Sequence, residues 1–240
     1  MARTLVIIPT YNEVQTIETA VAGVRGAVPD ADVLIVDDGS PDGTGDLADA
    51  LSAADSRVSV LHADGKRGLG VAYLTGFAWA LERDYELVAQ LDADGSHDPA
   101  ELPAMMRLAH GGAGADLVIG SRWAPGGSIV GWSRIRQLIS RAGNSYARTV
   151  LGSRIHDLTA GYRVFRATTL RALSLDDVSS QGYCFQIEIA WETERAGMRV
   201  AEHPIHFTER SAGRSKMHLG IVVEALVRVT AWGATRRRRK

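Results

Sequence analysis

Short runs of apolar, mostly β-branched residues recur through the first half of the chain, each followed by apolar residues at helical spacing. Leu5-Val6-Ile7-Ile8, ended by Pro9, is the first such run and Val33-Leu34-Ile35-Val36 the second. Val58 to Leu61, Leu87-Val88-Ala89 and Asp116-Leu117-Val118-Ile119-Gly120 continue the series. Unbroken apolar runs of this length suit strands buried on both faces. Between them, Ile17, Val21, Val24 and Val28 mark one side of a helix, Leu47, Ala48 and Leu51 a second, and Val71 to Leu81 a third. Strands alternating with helices to about residue 120 argue for an α/β domain with a mostly parallel central sheet.

In such sheets ligands collect beyond the carboxyl ends of the strands, and three of those ends are polar. They carry Tyr11 and Glu13, Asp37 and Asp38, and Asp92 and Asp94. In Gln90-Leu91-Asp92-Ala93-Asp94-Gly95-Ser96 the two carboxylates stand one residue apart on an extended chain, so they face one small volume. Two anions there repel unless a cation lies between them or a proton is retained. A divalent cation resolves the conflict and would also bridge to a diphosphate; the alternative is a polar turn closing the strand. Asp38 is placed to accept from ribose hydroxyls or a base edge, whereas Asp37 is read as pinning the turn that follows. Pro9 fixes a strand exit, and a backbone carbonyl there or at Val36 is placed to meet a base.

The neighbouring motifs carry competing readings. Gly65-Lys66-Arg67-Gly68-Leu69-Gly70 is either a phosphate-cradling loop or a tight turn before the next helix. Asp98-Pro99-Ala100-Glu101 is expected to start a helix, with Asp98 as N-cap, Pro99 first and Glu101 completing a capping box. His97 is either a metal neighbour or an exposed turn histidine, and the second reading is preferred. Arg122, at the end of the strand that begins at Asp116, suits a phosphate, its alternative being a salt bridge to a nearby acid.

At 240 residues, 45% apolar and 23% charged, the chain has enough material to bury a substantial core. Its net charge is −1 although the last five residues, Arg236 to Lys240, are all basic. Positive charge concentrated at one end suggests an anionic lipid surface as partner and not nucleic acid. A single cysteine, Cys184, excludes an internal disulfide and fits a reducing compartment. Strand-like sequence from Thr4 leaves no N-terminal signal to expect, and no run of 18 apolar residues predicts a membrane span.

The second half reads less regularly. Trp132 to Leu151 interleaves Trp132, Ile135, Leu138, Ile139, Tyr146 and Val150 with Arg134, Arg136, Arg141 and Arg148. That pattern suits an interfacial helix or an ordinary surface helix packed on the sheet. Asp157 to Phe165 is expected to return as sheet, Gly182 to Ala196 as helix, and Arg199 to Phe207 as strand. Gln186 and Glu188 either line the site or serve structure. Thr208 to Lys216, rich in glycine, serine and basic residues, is expected to be a mobile loop that closes over bound nucleotide. Met217, Ile221, Val222, Ala225, Leu226, Val229 and Trp232 form an apolar stripe; the alternative is a helix docked on its own core, but the basic tail that follows favours peripheral membrane attachment. The expected division is a catalytic domain over 1–216 and an amphipathic helix with basic tail over 217–240.

With these motifs assembled, the chain resembles the inverting glycosyltransferases of family 2, which have a GT-A (Rossmann-like nucleotide-sugar transferase) fold. The resemblance rests on Val6 to Glu13, Val36 to Thr44 and Asp92 to Gly95. Gly120-Ser121-Arg122, Gly161-Tyr162-Arg163, Tyr183 to Glu188, Phe207 to Arg210 and Gly213 to Met217 narrow it to the polyprenyl (dolichyl) phosphate mannose synthases. That resemblance implies GDP-mannose as donor, a polyprenyl phosphate as acceptor, and Mg²⁺ or Mn²⁺ as cofactor. Carried over by position, Pro9, Tyr11, Glu13, Val36 and Asp38 would hold the nucleoside. Asp92, Ala93 and Asp94 would meet the diphosphate and sugar, with Asp94 the chief metal ligand and Asp92 and Ser96 beside it. Ser96 stands where some relatives carry glutamine, a longer ligand. Arg122, Arg210 and Lys216 would address phosphates, Asp94, Arg122 and Arg210 being the expected catalytic set. Arg122, Arg136 and Ser140 match acceptor positions. The implied location is cytoplasmic and peripheral, on the cytoplasmic face of a membrane, with a membrane-anchoring partner protein left open. Rival readings are a UDP-glucose donor onto the same lipid class, a nucleotidyltransferase, and a non-catalytic nucleotide-sugar binder.

Overall fold

The computed structural model describes residues 2–112, 114–175, 178, 183–210 and 219–238. Nine strands are present among them: β1 (Thr4–Thr10), β2 (Asp32–Asp37), β3 (Val58–His62), β4 (Leu87–Gln90), β5 (Leu117–Ser121), β6 (Ser128–Val130), β7 (Arg163–Arg166), β8 (Val200–Pro204) and β9 (His206–Thr208). Seven form one sheet in the order β3-β2-β1-β4-β7-β5-β8, and β6 and β9 pair separately. All pairings in the large sheet are parallel except those of β7, which runs antiparallel to both β4 and β5. The expected mostly parallel α/β sheet is therefore present.

Helices cover both faces of the sheet, as continuous apolar strands require. They are α1 (Ile17–Ala27), α2 (Thr44–Ala54), α3 (Leu69–Leu81), α4 (Leu102–Ala109), α5 (Arg134–Leu151), α6 (Ala167–Ala172), α7 (Tyr183–Arg195) and α8 (Leu219–Arg238). Successive strand residues point to opposite faces, so Leu5 and Ile7 enter one core with Tyr73, Phe77 and Phe185. Val6 and Ile8 enter the other with Ile17, Val21, Val24, Leu102 and Met105. Each such side chain, fully removed from water, contributes about 1.5–3 kcal/mol before entropy is counted.

Three local expectations change. Of Asp157 to Phe165 only the stretch from Arg163 is strand; the residues before it are a loop whose carboxylate, Asp157, turns inward. Arg199 to Phe207 is broken at Ile205 into β8 and β9, which belong to different sheets. Asp98 does cap, accepting from the Ala100 N–H at 2.9 Å. Glu101 completes no capping box, because its carboxylate reaches His203 Nε2 at 2.9 Å instead.

α5 has two unlike halves. Ser133 caps its start by accepting from the Arg136 N–H, and Gly152, at φ 64°, ends it in the left-handed conformation. Toward its C-terminus Asn144, Ala147 and Leu151 are buried, whereas Ile135, Leu138 and Ile139 are 71%, 68% and 53% exposed. α8 lies against α5 and α7: Val229 is buried, Trp232 stacks on Trp191 at 6.0 Å, and Thr230 meets the Tyr146 hydroxyl. No helix among the described residues is long and apolar enough to cross a membrane.

Candidate active site

The site is a rim made by the carboxyl ends of β1, β2, β4 and β5. Asp37 at the end of β2 accepts from Thr10 Oγ1, the Ser40 N–H and Ser40 Oγ, which fixes the following turn. Asp38 has both carboxylate oxygens occupied, by the Arg67 N–H at 2.8 Å and the Gly68 N–H at 2.7 Å. Those two amides are therefore spent on a protein carboxylate, as a tight turn before the next helix requires. Gly39, at φ +72°, makes this closure feasible: a Cβ there would lie 2.8 Å from Gly65 Cα. Any nucleoside hydroxyl that reaches Asp38 must share it with this loop.

Tyr11 lies at the same end, with Lys66 Nζ 4.1 Å from its ring centroid. The Glu13 carboxylate accepts from Thr16 Oγ1. Pro9 and Val36 face each other in the β1–β2 register and are buried. Ala93, between the two aspartates, is buried with the core on the α1 side of the sheet.

Asp92 and Asp94 do converge. Tyr73, buried in α3, donates its hydroxyl to Asp92 Oδ1 at 3.1 Å, and the Ser96 N–H donates to Asp94 Oδ1 at 3.0 Å. Burial raises the Asp92 carboxyl above its ordinary range and the neighbouring Asp94 raises it further; His97, Tyr73 and Arg210 pull the other way. Arg210 reaches Asp94 Oδ2 at 3.4 Å, bringing positive charge to the acidic pair. Among the described residues no group of three or more His, Cys, Asp or Glu converges to hold a metal. Two neighbouring carboxylates still suit a cation that keeps waters and takes substrate phosphate oxygens, as Mg²⁺ does.

His97 is corrected from exposed to buried. Its ring stacks on Tyr162 at 4.9 Å, and Nδ1 accepts the Asp92 N–H at 3.2 Å, so the proton of the neutral ring sits on Nε2. Burial holds its pKa below the ordinary imidazole range. Phe207 packs edge-on against both His97 and Trp132. This aromatic wall joins the aspartate end of the rim to its arginine end.

At that arginine end, Arg122 forms the salt bridge weighed against phosphate binding. Its Nε and Nη2 each meet an oxygen of Asp157 at 2.7 Å, and its own N–H meets Oδ2 at 3.0 Å. Asp157 is completely buried; burial would raise its pKa, but the Arg122 guanidinium and hydrogen bonds outweigh that and hold it below the usual carboxylate range. Arg136 stacks on Trp132 at 4.0 Å and pairs with Glu209. Ser140, one turn further along α5, offers its carbonyl to Asn144 Nδ2.

The segment before residue 211 is fastened across this rim. The Thr208 N–H donates to the Ser96 carbonyl at 3.2 Å and the Glu209 N–H to the Val130 carbonyl at 2.9 Å. Lys216 and the remainder of the expected closing loop lie outside the described residues. Asp157, Tyr73, Glu209 and Phe207 were not singled out as site residues by sequence reasoning. Of these, Glu209 was legible in principle, as an acid between Thr208 and Arg210 in a basic segment.

The comparisons agree with this architecture. The family model described as Glycosyl transferase family 2 matches residues 5–173. A relative from Micrococcus luteus named undecaprenyl-phosphate mannosyltransferase is 53% identical over 235 residues, covering 98% of this chain and 96% of its own. Another, from Mycolicibacterium smegmatis and named polyprenol monophosphomannose synthase, is 50% identical over 232 residues, covering 96% and 87%. Among solved structures, glucosyl-3-phosphoglycerate synthase from Mycobacterium tuberculosis, in complex with Mn²⁺, UDP and glucosyl-3-phosphoglycerate, superposes with a TM-score of 0.70. At 20% identity, over 97% of this chain and 80% of that one, it supports the fold alone.

Proposed function

The chain belongs to glycosyl transferase family 2, and from that premise we propose the reaction it runs. It is a glycosyltransferase that moves mannose to a polyprenyl phosphate; the donor is GDP-mannose and the product polyprenyl-phosphate β-mannose. The observation that carries this reading is the convergence of Asp92, Asp94 and Arg210 at one strand end, an aromatic wall away from Arg122 and Arg136.

Asp92 and Asp94 would hold a divalent cation, Mg²⁺ or Mn²⁺, with the Ser96 hydroxyl beside them. When bound, that cation supplies charge stabilisation for the departing diphosphate. Arg210 adds to the same stabilisation from the protein side once donor phosphate replaces the Asp94 carboxylate as its partner. Asp38, Tyr11 and Glu13 orient the nucleoside, the Asp38 carboxylate being held in place by the 67–68 amides. Lys216 is assigned to donor phosphate.

The acceptor phosphate attacks the anomeric carbon opposite the leaving GDP, so one displacement turns α into β. A phosphate monoester, with a second pKa of about 6, is mostly dianionic near neutrality and needs no general base. Arg136 and Ser140 receive it, and Arg136 does so by exchanging Glu209 for phosphate. Arg122 acts through position: the bidentate Asp157 pair sets the β5 end and the Trp132–Phe207 wall, leaving Arg122 as an electrostatic neighbour of the phosphate. We assign the exposed Ile135, Leu138 and Ile139 on α5 to the lipid surface from which the acceptor comes, and read the enzyme as peripheral on the cytoplasmic face of a membrane.

The test is transfer of label from radioactive GDP-mannose or UDP-glucose into the lipid phase, with polyprenyl phosphate and either Mg²⁺ or EDTA. Metal-dependent label from GDP-mannose alone supports the reading. Label from UDP-glucose alone overturns the donor, and no label from either overturns the reaction.

A further inference from the structure

α5 carries Arg134, Arg141 and Arg148 seven residues apart, hence on one side of the helix. Arg141 and Arg148 open onto a cleft of about 420 Å³ between α5 and the loop after β5, lined also by Arg122, Trp123, Ser145 and His156. The buried Arg122–Asp157 pair stands at its wall, and neither the aspartates of the rim nor Arg136 and Ser140 line it. Its polar lining is chiefly donor. Arg148 Nε and Trp123 Nε1 are buried atoms with no hydrogen-bond partner among the described residues. Neither Arg141 nor Arg148 pairs with a carboxylate there. Arg141 Cζ lies over the Trp123 ring, 4.5 Å from its centroid, which holds the guanidinium at the cleft mouth. Negative charge in the neighbourhood is already committed: Glu202 is bound by His156, and Asp157 by Arg122. One acceptor, Asn144 Oδ1, is also buried without a partner among the described residues. It suits the P–OH of a singly protonated phosphate.

We propose that this cleft is a second anion site that takes a phosphate group, distinct from the Arg136–Ser140 acceptor position. Two unpaired arginines beside buried N–H donors match a tetrahedral oxyanion that accepts several hydrogen bonds at once. The phosphate is carried by an anionic lipid headgroup or arrives free. Exposed Leu138, three residues from Arg141 along α5, is apolar surface next to the mouth in either case.

Full-length protein is titrated with inorganic phosphate at constant ionic strength by calorimetry. In parallel it is sedimented with phosphatidylcholine vesicles, with and without phosphatidylglycerol. Arg141→Gln and Arg148→Gln are compared with Arg134→Gln, which shares the helix side but lies outside the cleft; circular dichroism checks each fold. If Arg148→Gln fails to fold, Arg141→Gln, at an exposed position, decides alone. Binding weakened roughly tenfold or more by the cleft variants and not by Arg134→Gln supports the site. Seen in the phosphate arm, that result identifies free phosphate; seen only with phosphatidylglycerol, it identifies a headgroup. Binding in neither arm overturns the proposal. So does equal weakening by Arg134→Gln, which would mark a diffuse basic surface.

Discussion

Replacing Asp157 by alanine removes the carboxylate on which the arginine end of the site is built. In the native protein that group accepts from Arg122 N–H, Nε and Nη2, from Thr159 Oγ1 at 3.1 Å and from Asn144 Nδ2 at 3.4 Å. The pair is dry, with Arg122 7% and Asp157 0% exposed, so solvent cannot take over these bonds. Removing one partner of a buried ion pair costs about 3–5 kcal/mol, because the remaining charge stays buried. At about 2–4 °C per kcal/mol for a chain of this size, Tm should fall by about 6–20 °C. Double replacement Arg122→Met/Asp157→Leu should recover much of that loss, since apolar residues of similar volume often replace such pairs without net cost. Differential scanning calorimetry and urea melts provide the assay. Asp157 has a depressed pKa in the folded state, so its contribution is present above the unfolded carboxylate range and is lost only as pH falls through the folded value. The single-variant loss should therefore be full at pH 7. A change in Tm under about 2 °C for Asp157→Ala at pH 7 would refute the reasoning, as would a double variant less stable than the single one.

Asp94→Asn should lower metal-dependent transfer by about a hundredfold or more while leaving the far-UV spectrum unchanged; full transfer by that variant would remove Asp94 from the chemistry. Gly233→Ala places a Cβ 2.5 Å from Val150 Cγ1 and 3.0 Å from its carbonyl. Overpacking of about 1–3 kcal/mol should then outweigh the helix-propensity gain of about 1 kcal/mol, and Tm should drop. Tyr85 donates to Asp32 at 2.8 Å, and burial followed by that hydrogen bond pushes its pKa up to about 12. Its stabilising contribution is therefore present below pH 10 and lost as pH rises through about 12. In a spectrophotometric titration, the difference between wild type and Tyr85→Phe should show one late-titrating phenol.

The parallel core was readable because its strands are unbroken apolar runs that no solvent-facing element would carry. Leu5 to Ile8 and Val33 to Val36 are buried along their whole length. β7 was harder, since Arg163 and Arg166 bracket only two apolar residues, and charge at both ends suggests exposure. Arg163 is in fact fully buried, bonding through Nε and Nη2 to the carbonyls of Ala160 and Leu158. No local pattern foretells such a fit. The acidic strand ends were legible one by one, but what each touches was not. Arg122 finds its acid 35 residues downstream and Glu101 finds His203 102 residues away, and spacing rules reach only a few residues along the chain. His97 was misjudged for the same reason: the ring that covers it, Tyr162, belongs to a distant loop.

β7 also bears on how the chain comes off the ribosome. β4 and β5 are consecutive strands in sequence, yet they do not touch; β7 stands between them and hydrogen-bonds to both. A nascent chain ending near residue 120 can assemble β3-β2-β1-β4, but it holds β5 with no neighbour to pair with. Until Arg163 to Arg166 has been synthesised, the edges of β4 and β5 stay open, and unpaired apolar edges are where aggregation begins. Joining β5 to the rest of the sheet is thus a late, long-range event that waits on the four residues of β7, and β8 then covers the other edge of β5. Chains arrested between β5 and β7 should be the ones that most need a chaperone.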